Sequence, residues 1–248
     1  MNKSSKDLLW IVIGVILLFV LANRCSKMKR ERYKKTPVEE LMVSLHEVPN
    51  YSIMLYDMDF EEGLTSNVFK HRYQVVTNIN DSIETDVTDW KEVTESFFQK
   101  HEKDLGMEIA SKKDGKIKRE VAPAGFREYV GNERYGHWQE RSDGSRFWEF
   151  YGKYAMLSSV FHMMSPTPYS HWYDYDRHYR SYGRPYYGGG SHSYGSYGNT
   201  QRNRNRSWNS TKSSGFKNRV QRRVSRSSRS SSRYNSSSFR SRGGGFGK

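Results

Sequence analysis

Residues Leu8–Ala22 form an apolar run of fifteen residues whose only polar side-chain group is the indole N–H of Trp10. Such a run must be placed in lipid, in a cleaved leader or in a protein interior, and the choice constrains the rest of the chain. As a helix it spans about 22 Å, short of the ~30 Å hydrocarbon core, but Lys6 and Arg24 at its ends can snorkel to the headgroups. A cleaved signal peptide is the competing reading, with Val20-Leu21-Ala22 as its cleavage site. Seven basic residues follow within Arg24–Lys35, and such a collar resists translocation. The run therefore reads as a retained transmembrane helix over residues 8–23, preceded by a short flank (1–7). By the positive-inside rule the collar is expected in the cytoplasm, which makes the protein single-pass with a cytoplasmic C-terminal part. A lipoprotein is excluded, because Cys25 follows Arg24 where the lipid-attachment motif needs a small residue.

The net charge of +14 is unevenly distributed. Residues 1–35 carry +7, residues 36–165 carry −8 and residues 166–248 carry +15. The juxtamembrane linker, residues 24–35, offers Arg24, Lys27, Lys29, Arg30 and Arg32 as contacts for anionic lipid headgroups, besides setting topology. With hydrophobic residues at 35% and a mean hydropathy of −0.92, the chain is too polar to be folded throughout.

The acidic middle, residues 36–165, reads as one α+β domain: an antiparallel sheet with two or three helices against it. Thr36-Pro37-Val38-Glu39 is a capping box, and Val38, Leu41, Met42 and Leu45 then form one helical apolar stripe ended by Pro49. Residues 51–60 and 69–79 read as strands. A second helix is expected from Asp89 to about Leu105, capped by Thr88 and carrying Trp90, Val93, Phe97 and Leu105 on one side. Two Asp-Gly turns, at Asp114-Gly115 and Asp143-Gly144, predict hairpins, since glycine supplies the positive φ that tight turns need. Residues 154–164 read as a closing helix. Trp138, Trp148 and Tyr151 are candidates for an aromatic stacking surface, although strand alternation sends half of such residues inward.

Chemistry-bearing motifs are missing. With one cysteine there is no disulfide framework and no thiolate zinc site, and neither His-Glu-x-x-His, nor a phosphate-binding Gly-x-x-x-x-Gly-Lys, nor Gly-x-Ser-x-Gly occurs. No cofactor is expected. Asp57 and Asp59 share one face of a strand as two catalytic acids would, but in so acidic a domain they read as a solvated edge.

Residues 166–248 are expected to be a disordered tail, rich first in Tyr and Gly and then in Arg and Ser, leaving the domain at Pro166 and Pro168. Nine tyrosines fall between Tyr169 and Tyr197, and no acidic residue follows Asp176. Arg202, Arg204, Arg206, Arg222, Arg223, Arg226, Arg229 and Arg233 are the candidate contacts for an anionic partner: nucleic acid, lipid or an acidic protein surface, the protein's own domain included. The sequence thus points to a membrane-anchored, non-enzymatic binding or scaffold protein whose domain binds a protein partner while the tail engages anionic polymer or lipid. A membrane-tethered nucleic-acid binder, an exported cell-surface protein and a membrane-anchored enzyme are the alternatives.

Overall fold

A computed structural model describes residues 35–63, 67–161, 163, 166–188, 193–196, 198, 212, 214–219 and 222. The chain divides into two compact units, Met1–Thr36 and Pro37–Lys248. Of the first only Lys35 and Thr36 are described, so the expected membrane helix and the basic linker to residue 34 lie outside the described residues. Among the described residues no helix is long and apolar enough to cross a membrane.

The second unit is α+β. Helix α1 (Pro37–Ser44) opens it and buries Val38 and Met42, while Leu41 and Leu45 pack against the same core. Strands β1 (Asn50–Glu61) and β2 (Val68–Ile79) pair antiparallel over nearly their whole length. They are joined by β3 (Ser82–Val87), β4 (Lys91–Val93), β5 (Met107–Lys113), β6 (Lys116–Lys118) and β7 (Ala122–Pro123). The sheet runs β3-β2-β1-β5-β6, with β4 also on β2 and β7 also on β5. A separate hairpin pairs β8 (Gly136–Glu140) with β9 (Arg146–Phe150).

Both Asp-Gly turns form. Asp114 and Gly115 have φ of 49° and 75°, the doubly positive pattern of a type I′ turn, and this fixes the β5–β6 register at Lys113↔Lys116 and Ser111↔Lys118. The β2–β3 turn has the same pattern without glycine, at Asn80 (φ 50°) and Asp81 (φ 67°), where short polar side chains tolerate the left-handed region. Strand β3 carries mostly acidic and hydroxyl side chains on an exposed edge, so its composition does not announce a strand.

Residues 89–105 do not form the expected single helix. Strand β2 is twelve residues long, and β3 pairs only with Gln74–Ile79. The unpaired end, Phe69–His71, takes β4 as its partner, which satisfies backbone groups otherwise left at a sheet edge. The Thr88 hydroxyl therefore accepts from the Tyr73 N–H (3.1 Å) and caps no helix. Helix α2 (Glu95–His101) begins later, with Thr94 as its N-cap accepting from the Phe97 N–H at 3.2 Å. The closing helix is likewise shorter than expected: a 3-10 turn over Gly152–Tyr154, then α3 (Met156–Val160).

The sheet is buried on both faces. Tyr51, Ile53 and Leu55 enter one core with Val38, Tyr73, Phe98 and Ile109, whereas Met54 and Val76 point into a second. A register shift between Leu55 and Asp57 re-phases β1, so that Met58 and Phe60, not Asp57 and Asp59, continue the first face.

The expected domain boundary at 165/166 is not where packing ends. Thr167 accepts the Trp148 N–H (2.8 Å) and Pro168 bridges Phe147, so the two-proline segment lines the free edge of β9. Helix α4 (Tyr169–Tyr175) and a π-helical turn (Asp176–Arg180) follow. Tyr175 and Tyr186 are buried in the second core beside Phe126, Tyr129, Tyr135 and Phe161. Few aliphatic residues occur here, but a buried tyrosine removes roughly 150–250 Å² from water, enough to order a segment that composition alone marks as disordered. Trp172 of α4 closes on Gly131 (φ 78°), where an added Cβ would lie 2.3 Å from the indole. Gly131→Ala should therefore lower stability by about 3 kcal/mol in chemical denaturation, from overpacking and the left-handed φ together. Gly144→Ala (φ 78°, nothing within 4 Å) carries only the backbone part, about 1 kcal/mol.

Candidate functional site

The β5–β6 register concentrates charge. Lys113 lies directly opposite Lys116, and Ser111 opposite Lys118, so all four residues share one face of the hairpin. Lys112 and Ile117 share the other, where the Lys112 ammonium donates to the His46 carbonyl at 2.6 Å. Like charges directly opposite each other weaken a strand pair, so local stability does not account for the arrangement. Among the described residues, none of Lys113, Lys116 and Lys118 has a carboxylate within ion-pair distance.

These lysines form one wall of a cleft of about 220 Å³. Tyr175, Tyr179, Arg180 and Arg184 also line it, with Arg127 and Glu120 among them. Six cationic side chains meet two carboxylates, Asp114 and Glu120, which gives the cleft a net positive field. Arg127 is fixed from below: its Nε lies 3.1 Å from Glu108 Oε1, and its Nη1 lies 3.1 Å from Glu120 Oε2. Glu108 is fully buried on β5, and burial raises its pKa while Arg127 pulls it back. Glu128, also buried, is pushed up to about 7 by burial and by the charge of Glu108. Arg180 donates to the Arg127 carbonyl (3.2 Å) and pairs with Asp176 (2.9 Å), which ties the π-helical turn to the same floor.

The expected aromatic surface is divided. Trp138 and Trp148 are cross-strand partners on the inward face of the β8–β9 hairpin, and Trp148 is 3% exposed within the second core. Trp138 is half-buried and packs on Trp148, Tyr169 and Trp172. Tyr151 alone is exposed (42%), stacked on His137. Period-two alternation thus separates Tyr151 from the two tryptophans. Of the tail arginines, Arg222 is described, helical and exposed. Arg202, Arg204, Arg206, Arg223, Arg226, Arg229 and Arg233, like Arg24, Lys27, Lys29, Arg30 and Arg32, lie outside the described residues. The cleft residues were discoverable only in part: Lys113-Asp-Gly-Lys116 in a two-residue hairpin places two lysines face to face, but nothing local brings Arg180 and Arg184 to them.

A buried polar cluster beneath the first core has the residue types of a catalytic dyad. His101 Nδ1 lies 2.8 Å from Asp104 Oδ2, Asp104 Oδ1 accepts from the Tyr187 hydroxyl at 2.6 Å, and His71 Nδ1 lies 3.1 Å from the Tyr73 hydroxyl. His71 is fully buried among Phe97 and Phe98, so no substrate reaches it. Asp57 and Asp59 both approach the Lys212 ammonium, at 3.3 and 3.4 Å, and are engaged in an ion pair, not poised as an acid–base couple. Among the described residues no three His, Cys, Asp or Glu side chains are grouped to hold a metal ion. No protein-family model, curated protein or solved structure matches the chain.

Burial, reinforced by the neighbouring His101, lowers the His71 pKa to about 3, so the imidazole is neutral in the fold. Since the unfolded value is about 6.5, stability from this group is complete above pH 6.5 and falls by about 1.4 kcal/mol per pH unit as acid approaches pH 3. Replacing it, His71→Phe, removes that slope. Between pH 7 and pH 4 the Tm of the variant should fall less than that of the parent, whatever the offset at pH 7. Glu128 acts in the opposite sense over part of this range but is common to both proteins, so the difference isolates His71.

Proposed function

We propose that the protein is a non-enzymatic binding protein, held at a membrane by residues 8–23, whose cleft takes a segment of a phosphate-bearing polymer. The carrying observation is the convergence of Lys113, Lys116 and Lys118 with Arg180 and Arg184 around a tyrosine-walled cleft. Clustered ammonium and guanidinium groups release counterions when phosphates replace them, and tyrosine rings beside them give a base or sugar a flat surface to pack on. Arg127 serves a different role. Committed to Glu108 and Glu120, it holds the floor rigid and positively polarised, so ligand contact falls to the lysines and Arg184. The tail arginines, most of them outside the described residues, supply further positive charge for the same polymer. The folded domain, and not the tail alone, thereby carries the contacts that define the site.

The test uses the full chain in detergent with two fluorescent probes, a ten-nucleotide single strand and polyphosphate of matched charge. Lys113→Glu/Lys116→Glu/Lys118→Glu should weaken binding at least tenfold at 0.1 M salt. It should also reduce the slope of log affinity against log salt by about 2, at ~0.7–0.9 for each phosphate no longer neutralised. A parallel Arg202→Ala/Arg204→Ala/Arg206→Ala protein should lose less. The proposal is overturned if the tail variant abolishes binding while the cleft variant binds like the parent. Equal affinity for both probes assigns recognition to charge, and preference for the oligonucleotide assigns a share to the tyrosines.

A further inference from the structure

Residues 212–219 lie on the domain at the opposite charge extreme from the cleft. Residues 214–219 are helical and carry Phe216 and Arg219 at i and i+3, one face of the turn, while Lys212 lies in a bend just before the helix. Each meets a matching feature of the first core's rim. The Lys212 ammonium sits 7% exposed between Asp57 and Asp59 and 4.9 Å from the ring centre of Trp90. The Phe216 ring is fully buried, edge-on to Phe98 at 6.3 Å. The Arg219 guanidinium spans Glu95 (2.8 Å) and Glu102 (3.3 Å) while lying 5.3 and 5.2 Å from the Phe60 and Phe69 rings, themselves stacked at 5.0 Å.

Two cations in a field of four carboxylates bracket one aromatic anchor, Phe216, which joins the first core, and this is the layout of an anchored segment in a charged groove. Beyond the single Phe216 ring, the segment is held by charge-assisted contacts that lie over aromatic faces. Exposed Trp90 has its counterpart here, which explains why the residue next to strand β4 is a tryptophan facing outward.

We infer that the surface formed by Asp57, Asp59, Trp90, Glu95, Glu102 and the Phe60–Phe69 pair is a docking groove for a segment of pattern Lys-x-x-x-Phe-x-x-Arg whose Phe and Arg stand on a short helix. Its occupant is the chain's own residues 212–219, bound as a releasable strap. Residues 199–211 connect it to the domain, a length that spans at most about 45 Å. Tethering of this kind gives an effective concentration on the order of mM, so modest intrinsic affinity keeps the groove filled. The groove is independent of the proposed cleft, which shares none of these residues.

A protease recognition sequence inserted after Arg206 of the full chain converts the strap into a separate fragment, residues 207–248, without removing it beforehand. After cleavage the fragments should co-elute at 50 mM NaCl. They should part at 1 M NaCl, or with an excess of synthetic peptide 208–222, while the near-UV circular dichroism of the larger fragment persists. Arg219→Glu and, separately, Phe216→Ala should each raise the dissociation constant at least tenfold. Phe216→Ala leaves every charge in place, so loss of binding there separates the groove from nonspecific attraction between a basic fragment and an acidic domain. Separation of the unmutated fragments at 50 mM salt overturns the inference. So does release that occurs only together with unfolding, which would make the segment an integral part of the core, and so does parent-like retention of both variants.

Discussion

Burial of the β1–β2–β5 sheet on both faces is the constraint from which most of this structure follows. A sheet with one wet face needs one layer of cover, whereas here Tyr51, Ile53 and Leu55 point one way and Met54 and Val76 the other, into separate cores. Helices α1 and α2 cover the first face. The second has no long amphipathic helix and is covered by aromatic loops and short helices from Ala122 to Tyr186. Flat rings with one polar tip suit that task, since they bury large area at low conformational cost and their hydroxyls can reach partners, as Tyr135 does in accepting from the Asn78 amide at 2.8 Å. The tyrosine-rich stretch after Pro168 is thus a covering layer of the domain, not an appendage.

Two-sided burial also explains the ion pair under the cleft. Glu108 alternates with Met107 and Ile109 and so must point into the second core, among Ser52, Ser111 and the backbone of Gly125. A carboxylate there is costly unless compensated, and Arg127 supplies the compensation from the loop after β7. The arginine's other end reaches Glu120, and its carbonyl receives Arg180. A local desolvation problem in the sheet therefore fixes the spatial relation between the lysine hairpin and the π-helical turn, the two walls of the site.

What the sequence disclosed follows the range over which each cause acts. The Asp114-Gly115 turn, the α1 stripe and the two long strands depend on neighbours within a few residues, and all were legible. The start of α2 was not, because the choice between Thr88 and Thr94 as cap depends on whether β2 needs a partner at Phe69–His71, some twenty residues away. Which of Trp138, Trp148 and Tyr151 turns inward was open, because the sequence marks alternation but not its sign, which is set by what lies above the hairpin, here α4. Packing continues past residue 166 for a chemical reason: tyrosine counts as polar in composition but as apolar area in a core. The cleft itself was not read from the sequence: the Asp114-Gly115 turn was, but the two-residue register that sets Lys113 against Lys116 was not, and Arg180 and Arg184 join them only through the fold.

The charge blocks then acquire a structural sense. Acidic side chains of the first core's rim are met by cations supplied from far along the chain, Asp57 and Asp59 by Lys212, and Glu95 and Glu102 by Arg219. At the β5–β6 hairpin the polarity is reversed: three lysines stand on an otherwise acidic domain, and the segment folded over them brings Arg180 and Arg184 instead of carboxylates. Were the basic C-terminal part merely a counter-charge for the domain, it would neutralise wherever it docked. It does so on one side and adds like charge on the other. Asp176 neutralises Arg180, but no described carboxylate pairs with the three hairpin lysines. A fold that pairs its cations so specifically at the acidic rim also sets lysine against lysine at the hairpin, where like charges face each other across the strands.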